Sequence, residues 1–174
     1  MPAARTPGGH RRIPESAVDA LAAQTGLGGV LNANQTAGRS AAPAPSCDIL
    51  LVEDNADQRL LWERTLETFG KRITLRMADS GYTGLLQIGR KKPDLLITDL
   101  MMPGIDGFEM IRTLRNSRDF GSVRILVISA LSAADIADRG GLPDGVEALR
   151  KPISPSTLVE RVEQALPQLA IATN

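Results

Sequence analysis

The sequence predicts an α/β domain with a doubly wound, five-stranded parallel sheet, preceded by a mostly irregular N-terminal extension. Two observations support this prediction. From Cys47 to Pro167 short apolar runs alternate with helix-like segments, whereas residues 1–46 are rich in Ala, Gly, Pro, Ser and Thr. Strands that alternate with helices favour a parallel sheet with helices on both faces. In such an open sheet a ligand site lies beyond the carboxyl ends of the strands.

Apolar runs and their breakers locate the individual elements. Short apolar or alternating runs predict strands, at 49–52, 73–78, 95–98, 125–128 and 146–149. The segments between them predict helices, at 56–69, 80–90, 106–115, 132–139 and 154–166. Ser80 and Ser154 are candidate N-caps, and Gly70 and Gly140–Gly141 are expected to end the first and fourth helices. One helix-spaced stripe is expected to face the sheet, formed by Trp62, Leu66 and Phe69.

Polar side chains follow four of the predicted strands. Glu53–Asp54 follow the first strand, Asp99 the third, Ser129 the fourth and Lys151 the fifth. Because neighbouring parallel strands end at one edge of the sheet, these residues are expected to converge. Clustered carboxylates need a cation to stay ionised, and carboxylate and water oxygens suit Mg²⁺. The pattern predicts phosphoryl transfer to a nucleophilic Asp99, with Lys151 and Ser129 able to contact phosphate oxygens.

Four segments at coherent spacing resemble the signatures of response-regulator receiver domains. They are ILLVEDN (49–55), LLITDLMMPGIDG (95–107), ILVISA (125–130) and LRKP (149–152). The resemblance spans 47–167 and implies the flavodoxin-like receiver fold with strand order 2-1-3-4-5. A dehalogenase-type phosphatase would need a second acid two residues after the nucleophile, where this chain has Met101. An inactive relative is disfavoured because the acids and the lysine are all present.

The resemblance assigns a role to each matching position. Asp99 resembles the phosphoacceptor, Lys151 the phosphate-pairing lysine and Ser129 the switch hydroxyl. The implied Mg²⁺ ligands are Glu53, Asp54, Asp99 and the backbone carbonyl of Met101. Pro152 follows the lysine across a peptide bond that is usually cis in the family. The family's switch aromatic is replaced by Ala148, so the conformational change is expected to rely on Ser129 and on residues 130–140.

The resemblance implies a signalling switch in a two-component phosphorelay rather than an enzyme. The phosphoryl group would come from a histidine kinase or a histidine phosphotransfer protein, and the signal would pass to a downstream protein. Such a switch would promote only its own Mg²⁺-dependent phosphorylation and dephosphorylation. A homodimer and a receiver that serves only as a phosphate sink are further hypotheses.

The N-terminal region carries a second, shorter resemblance. Residues 5–14 (RTPGGHRRIP) and a predicted helix at 15–23 resemble the wing and last helix of excisionase-like and MerR-like winged-helix domains. Such a wing implies contacts to DNA phosphates from Arg5, Arg11 and Arg12. A wing without a recognition helix is expected to bind DNA only weakly. The alternative function is a DNA-binding transcriptional regulator whose helix-turn-helix is truncated here and belongs to a longer form.

These patterns divide the chain into four parts: 1–24, a winged-helix-like fragment; 25–46, a flexible linker; 47–167, the receiver domain; and 168–174, a C-terminal tail. Twenty basic and twenty acidic residues give a formal net charge of zero, so global charge does not indicate a nucleic-acid partner. The single cysteine fits a reducing compartment. No apolar run approaches the length of about 20 residues that a membrane helix needs. A cytoplasmic protein without a membrane partner is expected.

Overall fold

A computed structural model of the chain describes residues 46–170. It contains a five-stranded parallel sheet in the order β2-β1-β3-β4-β5, which confirms the predicted fold. The strands are β1 (Cys47–Val52), β2 (Ile73–Ala78), β3 (Leu95–Thr98), β4 (Arg124–Ser129) and β5 (Val146–Arg150). The helices are α1 (Ala56–Leu66), α2 (Gly81–Arg90), α3 (Gly107–Asn116), α4 (Ala133–Asp138), α5 (Pro155–Ala165) and α6 (Pro167–Ala170).

Side-chain caps fix the starts of the helices. Ser80 Oγ accepts a hydrogen bond from the Thr83 N–H at 3.2 Å, and Ser154 Oγ accepts one from the Thr157 N–H at 3.1 Å. Both predicted N-caps are therefore confirmed. Each cap satisfies one of the backbone donors that a helix leaves unpaired at its start.

The first helix is shorter than the sequence predicts. It ends at Leu66, and a 3₁₀ segment, Glu67–Arg72, continues the chain to β2. Thr68 Oγ1 donates a hydrogen bond to the Thr65 carbonyl at 2.7 Å, so a side chain competes with the α-helical pattern at this point. Gly70 then adopts a φ of 55° and a ψ of −133°, which turns the chain out of the helical direction.

Two further predicted boundaries differ, namely the start of the first strand and the start of the C-terminal tail. β1 begins at Cys47 rather than at 49, because Asp48 is buried against Arg76 and Lys91 instead of ending the strand. At the other end, residues 168–174 were expected to be a tail, yet the chain forms α6 and buries Leu169. The Leu169 carbonyl accepts a hydrogen bond from Arg72 Nη1 at 2.8 Å, which holds this last turn to the end of the 3₁₀ segment.

Two hydrophobic clusters lie on opposite faces of the sheet. Along β1, Ile49 and Leu51 belong to one cluster, whereas Leu50 and Val52 belong to the other, as the alternation of side chains in a strand requires. The first cluster contains the predicted stripe together with α5, namely Trp62, Leu66, Phe69, Leu158 and Val162. The second cluster contains the inner face of α3, namely Met110, Ile111 and Leu114.

The predictions for residues 1–24, for most of the linker at 25–46 and for 171–174 lie outside the described residues. Those for Arg5, Arg11 and Arg12 therefore stay predictions. Within 46–170, no helix has both the length and the apolar character that crossing a bilayer demands.

Candidate phosphoacceptor site

Asp99 lies immediately after β3, at the carboxyl edge of the sheet. Its backbone N–H donates to the Val52 carbonyl at 3.1 Å, which ties the residue to the end of β1. Its Oδ1 atom accepts hydrogen bonds from the N–H groups of Leu100 at 2.5 Å and Met101 at 3.1 Å. These two bonds hold the carboxylate against its own loop. Asp99 is 8% exposed, so a small part of the residue still contacts solvent.

Lys151 bridges the two buried carboxylates of the site. Its Nζ lies 2.6 Å from Asp99 Oδ2 and 2.9 Å from Glu53 Oε2. Burial by itself would lower the pKa of Lys151, but the hydrogen bonds to Asp99 and Glu53 outweigh burial and hold that pKa above its ordinary value. The Lys151 N–H donates to the Ser129 carbonyl at 2.7 Å, and the following peptide bond to Pro152 is cis, as the resemblance implies.

Glu53 is the more deeply buried of the two acids. Burial raises the pKa of Glu53, while the hydrogen bond and the charge of Lys151 act in the opposite direction. The charge of Asp99 raises this pKa further. One ammonium group thus serves two carboxylates, and this edge of the sheet keeps an excess of negative charge.

The residues that the resemblance implies as Mg²⁺ ligands differ in how they lie at this edge of the sheet. Asp54 is exposed, and within 46–170 no three His, Cys, Asp or Glu side chains form a compact metal-binding group. The structure therefore brings Glu53 and Asp99 together and leaves the side chain of Asp54 outside their cluster. The Met101 carbonyl accepts no hydrogen bond from any described residue, so its oxygen is available to an incoming group. Two carboxylates that share one ammonium group, together with this carbonyl, are oxygen donors of the kind that Mg²⁺ binds.

The two predicted switch positions lie on neighbouring strands. Ser129 ends β4 and is 1% exposed, and its Oγ accepts only a long hydrogen bond, 3.5 Å, from the Leu131 N–H. Among the described residues its hydroxyl makes no hydrogen bond to Asp99 or Lys151. Ala148 lies in β5 and is exposed.

Two residues of this region were not predicted as functional. Gly107 donates its N–H to the Leu100 carbonyl, and a Cβ at this position would overlap the Asp99 carbonyl oxygen and the Leu100 Cα. Arg59 Nη1 donates to the carbonyls of Glu53 at 2.7 Å and Asp54 at 3.3 Å. The Asp106–Gly107 pair does carry a turn signal, but nothing in the sequence indicates the contacts of Arg59.

The family model for the response regulator receiver domain matches residues 49–163. The chain therefore belongs to the response regulator receiver domain family. Members of this family act as response regulators in two-component systems, and phosphorylation on an aspartate is typical of them.

Individual relatives support the same assignment. The chain is 30% identical over 143 residues to the virulence sensor protein BvgS of Bordetella pertussis, covering 79% of this chain and 11% of BvgS. It is 34% identical over 119 residues to the transcriptional regulatory protein AfsQ1 of Streptomyces coelicolor, covering 68% of this chain and 50% of AfsQ1. The chain thus spans a tenth to a half of the length of these curated relatives.

A solved structure shows the same fold. It is the signal receiver domain of a signal transduction histidine kinase from Syntrophus aciditrophicus, with a TM-score of 0.64 and 23% sequence identity. The match covers 74% of this chain and 95% of that domain.

Proposed function

We propose that this chain accepts a phosphoryl group on Asp99 from the phosphohistidine of a histidine kinase or a histidine phosphotransfer protein. The switched conformation would then signal to a downstream protein. The observation that supports this proposal best is the contact of Asp99 Oδ2 with Lys151 Nζ at 2.6 Å, at a carboxylate whose other oxygen is held by two backbone N–H groups. This arrangement presents an oriented nucleophile beside a fixed positive charge.

In the proposed reaction an oxygen of the Asp99 carboxylate bonds to phosphorus while the phosphorus–nitrogen bond of the phosphohistidine breaks. The imidazole leaves with the electron pair of that bond and takes a proton from solvent. The Lys151 ammonium would move from the carboxylate to the incoming phosphate oxygens. The Ser129 hydroxyl, which has only a weak partner, would donate a hydrogen bond to the same group.

Mg²⁺ would be held by Glu53, Asp54, Asp99 and the Met101 carbonyl. When bound, it would neutralise the negative charge that the carboxylate and the phosphoryl group bring together. Asp54 would join these ligands from its exposed position next to Glu53.

The direct test is phosphorylation by a small phosphodonor in the presence of Mg²⁺, followed by intact mass spectrometry. The wild-type chain should gain one phosphate, and Asp99→Asn should gain none. Asp57→Asn is the matched control, because Asp57 is an exposed aspartate of α1 outside the site. Labelling that survives Asp99→Asn, or that needs no divalent metal, would contradict the proposal.

A second candidate function is transcriptional control by a longer form of the protein. The similarity to a transcriptional regulatory protein, AfsQ1, favours it, as do the arginines at 5, 11 and 12. We expect the arginines at 5, 11 and 12 to give weak DNA binding without sequence preference, through phosphate contacts that salt screens. Titration of labelled duplexes at two salt concentrations checks this expectation. Tight, sequence-specific binding that persists at raised salt would contradict it.

A further inference from the structure

We infer that Arg59 is a positioning residue for Mg²⁺ binding, because its guanidinium group fixes the main chain that carries Glu53 and Asp54. The inference rests on the proposed function, in which these two acids are metal ligands. It concerns a residue that touches neither the metal nor the phosphoryl group. Its effect would pass through two backbone carbonyls.

Arg59 lies in the first turns of α1 and is half-buried. Its Nη1 atom donates to the Glu53 carbonyl at 2.7 Å and to the Asp54 carbonyl at 3.3 Å. Among the described residues these two carbonyls receive no other hydrogen bond. A single charged donor therefore satisfies both acceptors.

The carbonyls of Glu53 and Asp54 lie just after the last backbone hydrogen bonds that join β1 to its neighbouring strands. The last ties to neighbouring strands are the Val52 carbonyl, which accepts from the Asp99 N–H, and the Glu53 N–H, which donates to the Ala78 carbonyl. After Glu53, no backbone hydrogen bond among the described residues ties this loop to a neighbouring strand. The loop is held by Arg59 of α1 and by the Asn55 N–H, which donates to Glu53 Oε1. The Glu53 carbonyl belongs to a residue that is 2% exposed, so leaving it unpaired would be costly.

The side chain of Asp54 shows why this backbone matters. That side chain is exposed and makes no hydrogen bond or ion pair with any described residue. Its position is therefore set by the direction of its own main chain. The peptide planes on either side of Asp54 have their carbonyls turned toward Arg59. Fixing these two peptide planes fixes the direction in which the Asp54 side chain leaves the main chain.

Asn55 completes the loop from the other side. Its N–H donates to Glu53 Oε1 at 3.3 Å, and its Oδ1 accepts from the Gln58 N–H at 3.0 Å as the N-cap of α1. Arg59 and Asn55 thus connect the acid-bearing loop to the first turn of one helix. When a residue that orients metal ligands without touching the metal is lost, metal affinity typically falls about 10- to 100-fold.

Loss of the Arg59 charge and loss of its hydrogen bonds are expected to change Mg²⁺ affinity in opposite directions. Removing a positive charge near a cation site should strengthen cation binding if electrostatics alone acted. Removing the two hydrogen bonds should weaken binding, because the loop loses its fixed direction. A loss of affinity in a variant without the guanidinium therefore identifies positioning as the cause.

The experiment titrates the full chain with MgCl₂ and measures binding by calorimetry and by the fluorescence of Trp62, the single tryptophan. Arg59→Met should raise the Mg²⁺ dissociation constant about tenfold, and Arg59→Lys, which keeps one donor group, should recover part of the loss. Arg64→Met is the matched control, because Arg64 is an exposed arginine of the same helix with no hydrogen bond to a described residue. It should bind Mg²⁺ as the wild type does.

Phosphorylation kinetics give the second readout. In Arg59→Met the Mg²⁺ concentration for half-maximal labelling should rise by the same factor, while the rate at saturating Mg²⁺ stays near that of the wild type. Unchanged Mg²⁺ affinity in a folded Arg59→Met variant, with Asp99 still labelled in the wild type, would overturn the inference alone. Absence of Asp99 labelling in the wild type would overturn the proposed function, whatever Arg59 does. If Arg59→Met fails to fold, wild-type affinity in both Arg59→Lys and Arg59→Gln overturns the inference.

Discussion

Lys151 is the side chain that forms ion pairs with both buried carboxylates of the site. It is mostly buried and lies within 3 Å of two carboxylates, as the distances of 2.6 Å to Asp99 and 2.9 Å to Glu53 show. Removing one member of a buried ion pair is strongly destabilising, because the remaining charge stays without a partner. Here two charges would remain, and they would repel each other.

We therefore expect Lys151→Met to lower the free energy of unfolding by about 3 kcal/mol in metal-free buffer. Mg²⁺ should restore part of that loss, because a divalent cation can take the place of the ammonium between Glu53 and Asp99. Urea unfolding with and without Mg²⁺ measures both effects. Lys71→Met, at an exposed lysine of the 3₁₀ segment, is the control and should change little. Equal stability of Lys151→Met and wild type would disprove this account of the site.

Met101 and Leu131 bear on how long the phosphoryl group survives. We expect the hydrolytic water to approach past the side chains two residues after the phosphoacceptor and two after the switch hydroxyl. Both are apolar here, and Met101 is 45% exposed at the mouth of the site. Neither can orient a water in line with the Asp99–phosphorus bond.

We expect the aspartyl phosphate to be long-lived, and Met101→Asn or Leu131→Glu to shorten its lifetime. The measurement is the decay of the phosphorylated species, followed by intact mass after removal of the phosphodonor. If neither variant decays faster than the wild type, these side chains do not control hydrolysis.

Among the helices that pack on the two faces of the sheet, α4 buries the least of its surface. None of its residues is buried, and its capping box of Ser132 and Asp135 is exposed. After the helix, Gly140 and Gly141 adopt φ values of 93° and 72°. Arg112 of α3 ties down this end by donating to the Arg139 carbonyl at 2.7 Å. An element with few buried contacts is one that can move at low cost.

Phosphorylation should therefore change the backbone mainly across 130–141. Ser129 lies directly before this segment, and the exposed Ala148 of β5 has no ring that could move in its place. Hydrogen exchange with and without a phosphate mimic should show the largest difference in 130–141. The control segment is β1, whose amides should stay equally protected. Unchanged protection across 130–141 would refute the prediction.

The elements also show how far sequence reasoning reaches. Apolar runs such as Leu95–Thr98 predicted the strands, and the parallel order brought Glu53, Asp99 and Lys151 to one edge as expected. The extension of β1 through Asp48 was missed, because it depends on Arg76 from the neighbouring strand. The role of Gly107 was missed for a similar reason, since it depends on how closely two backbone segments approach. Contacts between distant segments leave no periodic signal in a sequence.

At the scale of the whole fold, the sheet separates the buried side chains of residues 46–170 into two clusters that have no member in common. Cys47 lies at the amino edge of the sheet, in the cluster that contains Trp62, and it is buried. Burial raises the pKa of the Cys47 thiol, because the thiolate would lose its hydration. The thiol should therefore be unreactive in the folded chain.

This pKa shift gives stability a pH dependence with a definite sign. The unfolded thiol loses its proton near pH 8.5, and the folded thiol loses it only at higher pH. Its contribution to stability is therefore complete below the unfolded pKa and is lost as pH rises through the folded one. The urea midpoint should fall more between pH 8 and pH 10 in the wild type than in Cys47→Ala. Parallel curves for the two proteins would contradict the assignment.

Because side chains along β1 alternate between the two faces of the sheet, this strand tolerates substitutions better than changes in its length. Successive residues from Ile49 to Val52 contribute to opposite clusters, and the strand is paired on both sides, with β2 and with β3. One inserted or deleted residue would exchange the faces of all residues on one side of the change. It would also move Glu53 off its place beside Lys151. Homologous chains should therefore vary the identity of apolar residues in β1 freely, whereas insertions and deletions should collect in the loops at the amino edge of the sheet.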